Sequence, residues 1–263
     1  MAALEKTLEN YNRVGRRLVE GYTKPEVFPL LKHIDEVQRE LGVSGGAAEI
    51  GVHHGQLFLA LSLLESRAVA IDLFDDQDAN IDNSGKGDLG RFRTNLRRWT
   101  DGDVTIHAGD STALTATSIP ELSDIRLFSV DGGHTAQIVR SDMTLAESVL
   151  VDGGVVIADD VFNQYWPGVC VGTLEYLRTG GLRPFAIGHN KVLFTQPEYC
   201  ERYRAHLVAA YENSFWTALD ESSFDGNPVT VLVRVPRKPV HALRRSSTAR
   251  RAYHRVLGLL PAR

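Results

Sequence analysis

Residues 47–55 of this chain read AAEIGVHHG, and the helical segment QLFLALSLLES follows directly at 56–66. A short, mainly apolar run that ends in closely spaced glycines is typical of a buried parallel strand that turns sharply into a helix. Glycine allows the sharp turn and lets the backbone approach a bound ligand closely. The stretch therefore predicts the first strand and helix of a parallel sheet, joined by a ligand-binding loop.

Four further apolar runs alternate with amphipathic segments along the chain. The runs lie at 68–74, 104–109, 125–132 and 154–161, and helical segments lie at 91–100, 135–150 and 171–180. Strands that alternate with helices predict right-handed βαβ units and hence a parallel sheet. We expect an α/β fold with a doubly wound, mostly parallel, Rossmann-like sheet, whose ligands bind beyond the carboxyl ends of the strands.

Both ends of the chain extend this core. Residues 1–42 are predicted to be helical, because apolar residues recur at helical spacing in PEVFPLLKHIDEVQRELG. RPFAIGHNKVLFTQ at 183–196 predicts a β-hairpin that turns at His189-Asn190, and VTVLVRV at 229–235 predicts a last strand. We therefore expect an N-terminal helical segment, a ligand-binding domain and a basic tail, at 1–42, 43–236 and 237–263.

Charge is distributed unevenly along the chain. The 263 residues carry a formal net charge of −4, but the tail at 237–263 contains eight Lys and Arg residues and no Asp or Glu. The remainder is therefore strongly acidic, which argues against binding along a nucleic-acid backbone. The tail could contact a polyanion or a membrane surface, or it could form a solvated terminal helix.

Cysteine content and hydropathy predict a cytoplasmic protein. The two cysteines, Cys170 and Cys200, are too few for a disulfide framework and fit a reducing compartment. The N-terminal stretch is too polar for a signal peptide, and no stretch approaches the roughly 20 apolar residues of a membrane helix. We therefore expect no membrane span.

The loop after the first strand differs from that of a nicotinamide enzyme. It contains GxxxG, from Gly51 to Gly55, where a nicotinamide enzyme has GxGxxG. Glu49 lies just before this loop, and a carboxylate suits the sulfonium and amino-acid head of S-adenosylmethionine (SAM) better than it suits a pyrophosphate. Two glycines at this spacing could also form a purely structural turn.

The next two strands end in polar residues that could complete such a site. Asp72 ends the second strand, where a carboxylate could hydrogen-bond a ribose diol. Asp110 and Ser111 follow the third strand, near the expected edge of an adenine, although they could equally be helix caps. Three such signals in chain order, each at a strand end, favour a SAM site.

These motifs resemble those of a known family. The order EIGxxxG, AIDLF, AGDS and SVDGGH, over about residues 45–195, is similar to the successive motifs of class I SAM-dependent methyltransferases. The resemblance implies that Asp131 also contacts the cofactor. It also implies that Glu49, Gly51 and Gly55 line the methionine subsite. By the same resemblance, Asp72 binds the ribose, and Asp110 with Ser111 borders the adenine.

Three carboxylates are expected to meet where the fourth and fifth strands end. Asp131 ends the fourth strand and Asp159-Asp160 ends the fifth, and adjacent parallel strands lie about 4.8 Å apart. Carboxylates this close repel one another unless a cation balances them, and oxygen ligands favour Mg²⁺, or Mn²⁺, over zinc. Alternatively, the pair caps the following segment while Asp131 only contacts SAM.

His134 is the candidate base. It follows Asp131 by three residues, and a neutral imidazole there could accept a proton from a metal-bound hydroxyl. A histidine at the start of a helix could also be a surface or capping residue. DGGH followed by DD resembles the metal-dependent sugar O-methyltransferases, which include the macrocin and mycinamicin enzymes. That resemblance implies Mg²⁺ ligands at Asp131, Asp159 and Asp160, and a base at His134.

The resemblance therefore implies Mg²⁺-dependent transfer of a methyl group from SAM to a sugar hydroxyl of an oligosaccharide or a glycosylated metabolite. One alternative is a catechol-type O-methyltransferase, although that group has a lysine base and an Asp-Asn pair. The other is a non-catalytic SAM-binding protein. The family also implies a homodimer or a larger homo-oligomer.

Two segments could shape the acceptor pocket. The polar loop at 74–88 is long enough to form a lid over the cofactor, or it is ordinary solvated surface. Tyr165 and Trp166 follow the aspartate pair, where aromatic faces could stack against a sugar ring or could pack in the core.

Overall fold

The computed structural model describes residues 5–235, so the tail predicted at 237–263 lies outside the described residues. Within them, the strands are β1 (Gly46–Ile50), β2 (Arg67–Asp72), β3 (Asp103–Ala108), β4 (Ile125–Val130), β5 (Leu150–Asp159), β6 (Arg183–Gly188), β7 (Lys191–Thr195), β8 (Thr217–Phe224) and β9 (Asn227–Arg234). The helices are α1 (Leu8–Arg13), α2 (Val27–Glu40), α3 (Gln56–Ser62), α4 (Leu89–Trp99), α5 (Ala136–Ser148), α6 (Pro167–Leu177) and α7 (Pro197–Tyr211).

The strands form one mixed sheet in the order β3-β2-β1-β4-β5-β7-β6-β9-β8. The five strands from β3 to β5 are mutually parallel, as predicted, and β7 pairs antiparallel with both β5 and β6. The chain runs outward from β1 to β3 and then returns to place β4 on the other side of β1. This reversal creates a switch point between the carboxyl ends of β1 and β4, where ligands bind in doubly wound sheets.

Helices cover both faces of the sheet, as a doubly wound fold requires. On one face, α2, α3 and α7 bury Phe28, Phe58 and Leu207 in a single apolar cluster. On the other face, α5 and α6 bury Met143 and Tyr176. Within residues 5–235, no helix is long and apolar enough to cross a membrane.

The predicted hairpin is confirmed at its turn. His189 and Asn190 both have positive φ, at 58° and 73°, as the two central residues of a tight type I′ turn require. The turn places Lys191 directly opposite Asp159 in the β5–β7 register. The hairpin therefore brings a cation to the carboxyl end of β5.

The prediction that residues 1–42 are helical throughout is wrong for 18–26, which lie between α1 and α2 outside any helix. The side chain of Gln56, at the start of α3, hydrogen-bonds to backbone groups in this segment and just before it. Its Nε2 donates to the carbonyl oxygens of Arg16 and Val19, and its Oε1 accepts from the backbone N–H of Thr23, at 2.8, 3.1 and 2.9 Å. These contacts satisfy backbone groups that a helix would otherwise pair.

Two elements were not predicted from the sequence. Helix α7 is only weakly amphipathic in its sequence, and β8 is an edge strand whose middle residues face solvent. Neither segment has the continuous apolar run that marked the other strands. Local sequence patterns therefore do not reveal either element.

Candidate active site

One cavity of about 1310 Å³ opens at the carboxyl ends of the parallel strands. Single-ligand pockets measure about 300–1,000 Å³, so this cavity has room for a cofactor and a second molecule. Of the residues predicted for the site, those that line it are Gly51, Asp72, Asp110, Ser111, Asp131, His134, Asp159, Asp160 and Trp166. Glu49, Gly55 and Tyr165 are not part of its lining.

The glycine loop approaches the neighbouring strand closely. Gly51 has a φ of +85°, and a Cβ atom there would overlap the carbonyl oxygen of Asp131. The backbone N–H of Gly51 donates to Ile71, and that of Asp131 donates to Ile50, both at 2.9 Å. Gly55, with a φ of +91°, begins α3 and packs against Phe92. The loop is therefore held by backbone contacts across the switch point.

Asp72 is anchored at the end of β2. Its two carboxylate oxygens accept the backbone N–H groups of His53 and Phe74, at 2.7 and 2.5 Å. Burial raises the pKa of Asp72 above its ordinary value, and these two hydrogen bonds oppose the rise. The carboxylate is therefore fixed at the cavity wall, where a diol could add hydrogen bonds to it.

Asp110 serves as a cap and also lines the cavity. Its Oδ1 accepts from the backbone N–H and the hydroxyl of Thr112, both at 2.8 Å, at the start of a short 3₁₀ helix, Ser111–Ala113. The two interpretations of Asp110 are thus compatible in this fold.

A buried lysine lies among the carboxylates. Lys191 is 2% exposed, and its ammonium forms an ion pair with Asp159. Burial acts to lower the pKa of Lys191, but the charges of Asp159 and Asp131 outweigh burial and raise it. Burial, and then the charge of Asp159, hold the pKa of Asp131 well above its usual range. Burial likewise raises the pKa of Glu49 to about 8.

This lysine changes the charge balance that the sequence suggested. Three neighbouring carboxylates need a cation to balance their charge. Lys191 supplies one positive charge from within the chain, and the raised pKa values of Asp131 and Glu49 reduce the negative charge around it. The cluster is therefore tolerable in a buried site without a metal.

His134 lies between two carboxylates. Its Nδ1 is 2.8 Å from Oδ2 of Asp82, and its Nε2 is 3.4 Å from Oδ2 of Asp160. Burial acts to lower the pKa of His134, but the hydrogen bonds to Asp160 and Asp82 outweigh burial and raise it. Burial acts to raise the pKa of Asp160, whereas hydrogen bonds from His134, Asn163 and Asn190 lower it to about 2.

The loop at 74–88 supplies the partner of His134. The backbone N–H of His134 donates to Oδ2 of Asp82 at 2.6 Å, and Ser84 donates its hydroxyl to Oδ1 at 2.6 Å. These hydrogen bonds outweigh burial and lower the pKa of Asp82 to about 2. Residues Asn80, Ile81, Asp82 and Ser84 of this loop line the cavity. The loop at 74–88 therefore forms part of the cavity wall beside His134.

The outer wall of the cavity is aromatic and polar. Trp166 stacks on the ring of His134, with 4.2 Å between centroids and 21° between planes. Tyr22 lines the mouth of the cavity, and its ring centroid lies 5.7 Å from that of His53. Tyr165 is 76% exposed and is not part of this lining. Of the two predicted acceptor contacts, the structure therefore brings only Trp166 to the site.

One group of donor atoms in the cavity could hold a cation. Within residues 5–235, Asp131, His134 and Asp160 each offer a ligand atom, and these atoms lie within 4.8 Å of one another. Asp159 differs, because one of its oxygens pairs with Lys191 and the other accepts from Asn190 and from the backbone N–H of Asp160. Two carboxylates suit a hard divalent cation, so the residues present fit such an ion.

Sequence reasoning missed Asp82 and Lys191. Asp82 belongs to the polar loop at 74–88, and a loop carries no pattern that fixes which side chain turns inward. Lys191 follows the predicted turn, but its position became meaningful only through the pairing of β7 with β5.

Comparison with known proteins gives a matching family and a matching fold. A family model described as a methyltransferase domain matches residues 48–161. The O-methyltransferase NovP is similar in structure, with a TM-score of 0.52 and 18% identity, over 67% of this chain and 83% of that one. The TDP-rhamnose 3′-O-methyltransferase CalS11 has a TM-score of 0.48 and 19% identity, over 71% of this chain and 86% of that one. No curated protein sequence matches the chain.

Proposed function

We propose that the chain is a class I SAM-dependent methyltransferase, which is supported by the methyltransferase-domain match over residues 48–161 and by the similarity in fold to NovP. It would transfer a methyl group from SAM to a hydroxyl of a sugar, with a divalent cation, Mg²⁺ or Mn²⁺, at the buried carboxylates. The observation that carries this proposal is the position of His134. Its imidazole lies between Asp82 and Asp160 and beside Asp131, inside a cavity that also contains the glycine loop.

The cofactor would occupy the inner part of the cavity. Gly51 offers a backbone surface without a side chain, Asp72 offers a fixed carboxylate to the ribose, and Ser111 would border the adenine. SAM supplies a methyl group on a positively charged sulfur. Glu49 lies behind the cavity wall, so we assign it a supporting role beneath the loop rather than a contact.

His134 would remove the proton from the acceptor hydroxyl. Asp82 is ionised at neutral pH, because its pKa is about 2, and it therefore accepts the hydrogen on Nδ1 of His134. This tautomer leaves a lone pair on Nε2, which faces the interior near Asp160. The two carboxylates stabilise the protonated ring, which strengthens His134 as a base.

The divalent cation would be held by Asp131 and Asp160. It would lower the pKa of a coordinated hydroxyl and so ease the loss of its proton. Asp159 would join them as the third predicted ligand only if Lys191 gave up its ion pair. This competition makes Lys191 a determinant of metal affinity.

A sugar acceptor suits the outer cavity. The rings of Trp166 and Tyr22 offer apolar faces, and the amides of Asn163 and Asn190 offer hydrogen bonds close to Asp160. A saccharide presents both apolar C–H faces and vicinal hydroxyls. The imidazole of His134, where a catechol-type enzyme has lysine, also favours a sugar over a phenol.

The cofactor and metal steps can be tested by calorimetry. SAM and S-adenosylhomocysteine are titrated into chelator-treated protein, and Mg²⁺ is then titrated into the cofactor-loaded protein. We expect both to bind, Asp131→Asn to remove the Mg²⁺ step, and the cofactor step to be mostly retained. Asp152→Asn is the control, because Asp152 is exposed near the opposite end of the same β5 strand that ends in Asp159.

The acceptor class can be tested by the release of S-adenosylhomocysteine. The panel contains nucleotide sugars, glycosides and simple diphenols, each with and without Mg²⁺. Metal-stimulated transfer to a sugar supports the proposal, and transfer to diphenols alone would replace it with a catechol-type activity. Cofactor binding without any transfer across the panel would favour a non-catalytic SAM-binding protein. Loss of cofactor binding in Asp131→Asn with unchanged Mg²⁺ affinity would contradict the ligand assignment.

A further inference from the structure

A second group of metal-ligating side chains lies where α2 packs against α7. His33 and Glu36 are one turn apart on α2, and His206 faces them from α7. Nδ1 of His33 is 2.9 Å from Oε2 of Glu36, and Nε2 of His206 is 3.4 Å from the same oxygen. None of the three residues lines the active-site cavity.

We propose that His33, Glu36 and His206 form a binding site for Zn²⁺ or a similar transition-metal ion. Two imidazoles and one carboxylate make up a ligand set of open zinc sites, in which water takes the fourth position. Imidazole nitrogen also favours Zn²⁺ over Mg²⁺, which prefers oxygen ligands. The site is thus chemically distinct from the carboxylates in the cavity.

The geometry fits a tetrahedral ion. Metal–ligand bonds of about 2.0–2.1 Å give distances of roughly 3.3 Å between ligand atoms in a tetrahedron. The two measured distances, 2.9 and 3.4 Å, lie on either side of that value, and all three ligand atoms lie within 4.8 Å of one another. A small movement of side chains would therefore complete the coordination.

The surroundings hold the ligands while leaving access for an ion. The ring of Tyr211 packs edge-on against His33, with 4.9 Å between centroids, which restricts the imidazole. The side chain of Glu36 is 39% exposed, so an ion and a water molecule can reach it. Lys32 lies 3.8 Å from Oε1 of Glu36 and is largely exposed, so it can turn away into solvent.

A metal ion at this site would join two distant parts of the chain. Glu36 and His206 are 170 residues apart in sequence, and their helices cover the same face of the sheet. An ion that binds only the folded chain stabilises it by RT ln(1 + c/Kd), where c is the free ion concentration, so the stabilisation grows with that concentration. We therefore expect Zn²⁺ to raise the thermal unfolding midpoint.

The test is Zn²⁺ titration by calorimetry on untagged, chelator-treated protein. The variants are His33→Gln and His206→Gln, and the control is His107→Gln, which lies outside both groups of ligands. We expect Zn²⁺ binding at this site to weaken at least tenfold in both variants and to stay unchanged in the control. Equal Zn²⁺ binding in all four proteins, or none in the wild type, would overturn the proposal.

A spectroscopic measurement separates this site from the cavity. Co²⁺ is added to the His134→Gln protein, in which the imidazole beside Asp131 and Asp160 has been removed. We expect the intense visible absorption of tetrahedral Co²⁺, and its loss when His206→Gln is added. Weak octahedral absorption in both the single and the double variant would overturn the proposal. The residues His33, Glu36 and His206 would then form only a hydrogen-bonded group. Because neither measurement depends on methyl transfer, failure of this proposal is distinguishable from failure of the proposed function.

Discussion

Nδ1 of His134 lies 2.8 Å from Oδ2 of Asp82, although the two residues are 52 positions apart in the sequence. The same oxygen accepts the backbone N–H of His134 at 2.6 Å. A loop carboxylate therefore positions the proposed base, and as an acceptor it favours the tautomer with the hydrogen on Nδ1. In the Ser-His-Asp triad, an aspartate orients its histidine through the same ring nitrogen.

Replacing Asp82 should slow methyl transfer without loss of the cofactor. In Asp82→Asn, the amide cannot hold the required tautomer of His134, and we expect kcat to fall by roughly 10²–10⁴-fold. SAM affinity, measured by calorimetry, should change little. Asp78→Asn is the matched control, because Asp78 is exposed in the same loop. An unchanged kcat in Asp82→Asn would exclude the positioning role.

Replacing Lys191 should destabilise the protein and make its stability depend on metal. Lys191→Met leaves the buried carboxylates without their internal cation, and removal of one partner of a buried ion pair costs about 3–5 kcal/mol. We expect Mg²⁺ to restore part of this free energy of unfolding, measured by urea denaturation. Lys6→Met removes an exposed pair with Asp101 and should cost less than about 1 kcal/mol. Equal losses in the two variants would contradict the buried-cation interpretation.

A methyl group at Gly51 should disrupt the switch point. In Gly51→Ala, the new Cβ overlaps the carbonyl oxygen of Asp131, so β1 and β4 must separate at their carboxyl ends. We expect loss of SAM binding and a decrease in the free energy of unfolding well beyond that of Gly42→Ala. Gly42 also has a positive φ, of +70°, but has open space around it, so its variant should lose only about 1–2 kcal/mol. Similar losses of unfolding free energy in Gly51→Ala and Gly42→Ala would show that the positive φ, and not the overlap with Asp131, accounts for the effect.

The stability of the protein should depend on pH through Asp142 on α5. Burial raises the pKa of Asp142 to about 7, whereas an unfolded aspartate has a pKa of about 3.9. The folded state therefore binds the proton more tightly. The contribution of Asp142 is fully present below about pH 3.9, and it is lost as the pH rises through about 7.

The Asp142→Asn variant isolates this effect. The difference in free energy of unfolding between wild type and variant should shift by up to about 4 kcal/mol in favour of the variant over that pH interval. Urea denaturation at a series of pH values measures it. A constant difference between the two proteins at all pH values would mean that Asp142 does not titrate in the folded state.

Local patterns were sufficient to predict most of the parallel half of the sheet. The run around Ile50 and the four later apolar runs gave strands, because a strand buried on both faces needs a continuous apolar sequence. The His189-Asn190 turn was also predictable, since a tight hairpin favours residues that tolerate positive φ. The candidate residues at strand ends followed from the same reasoning, because parallel strands place their carboxyl ends at one edge.

The sequence alone determined the alternation of strands and helices, the glycine loop and the acidic strand ends, since each depends on neighbours within a few residues. Only the tertiary structure decided that Lys191 would lie opposite Asp159, because that contact depends on β7 inserting beside β5. It also decided that Asp82 would turn inward onto His134, and that His206 would face α2. These contacts join residues far apart in the chain, and their formation depends on the packing of whole elements rather than on any local pattern.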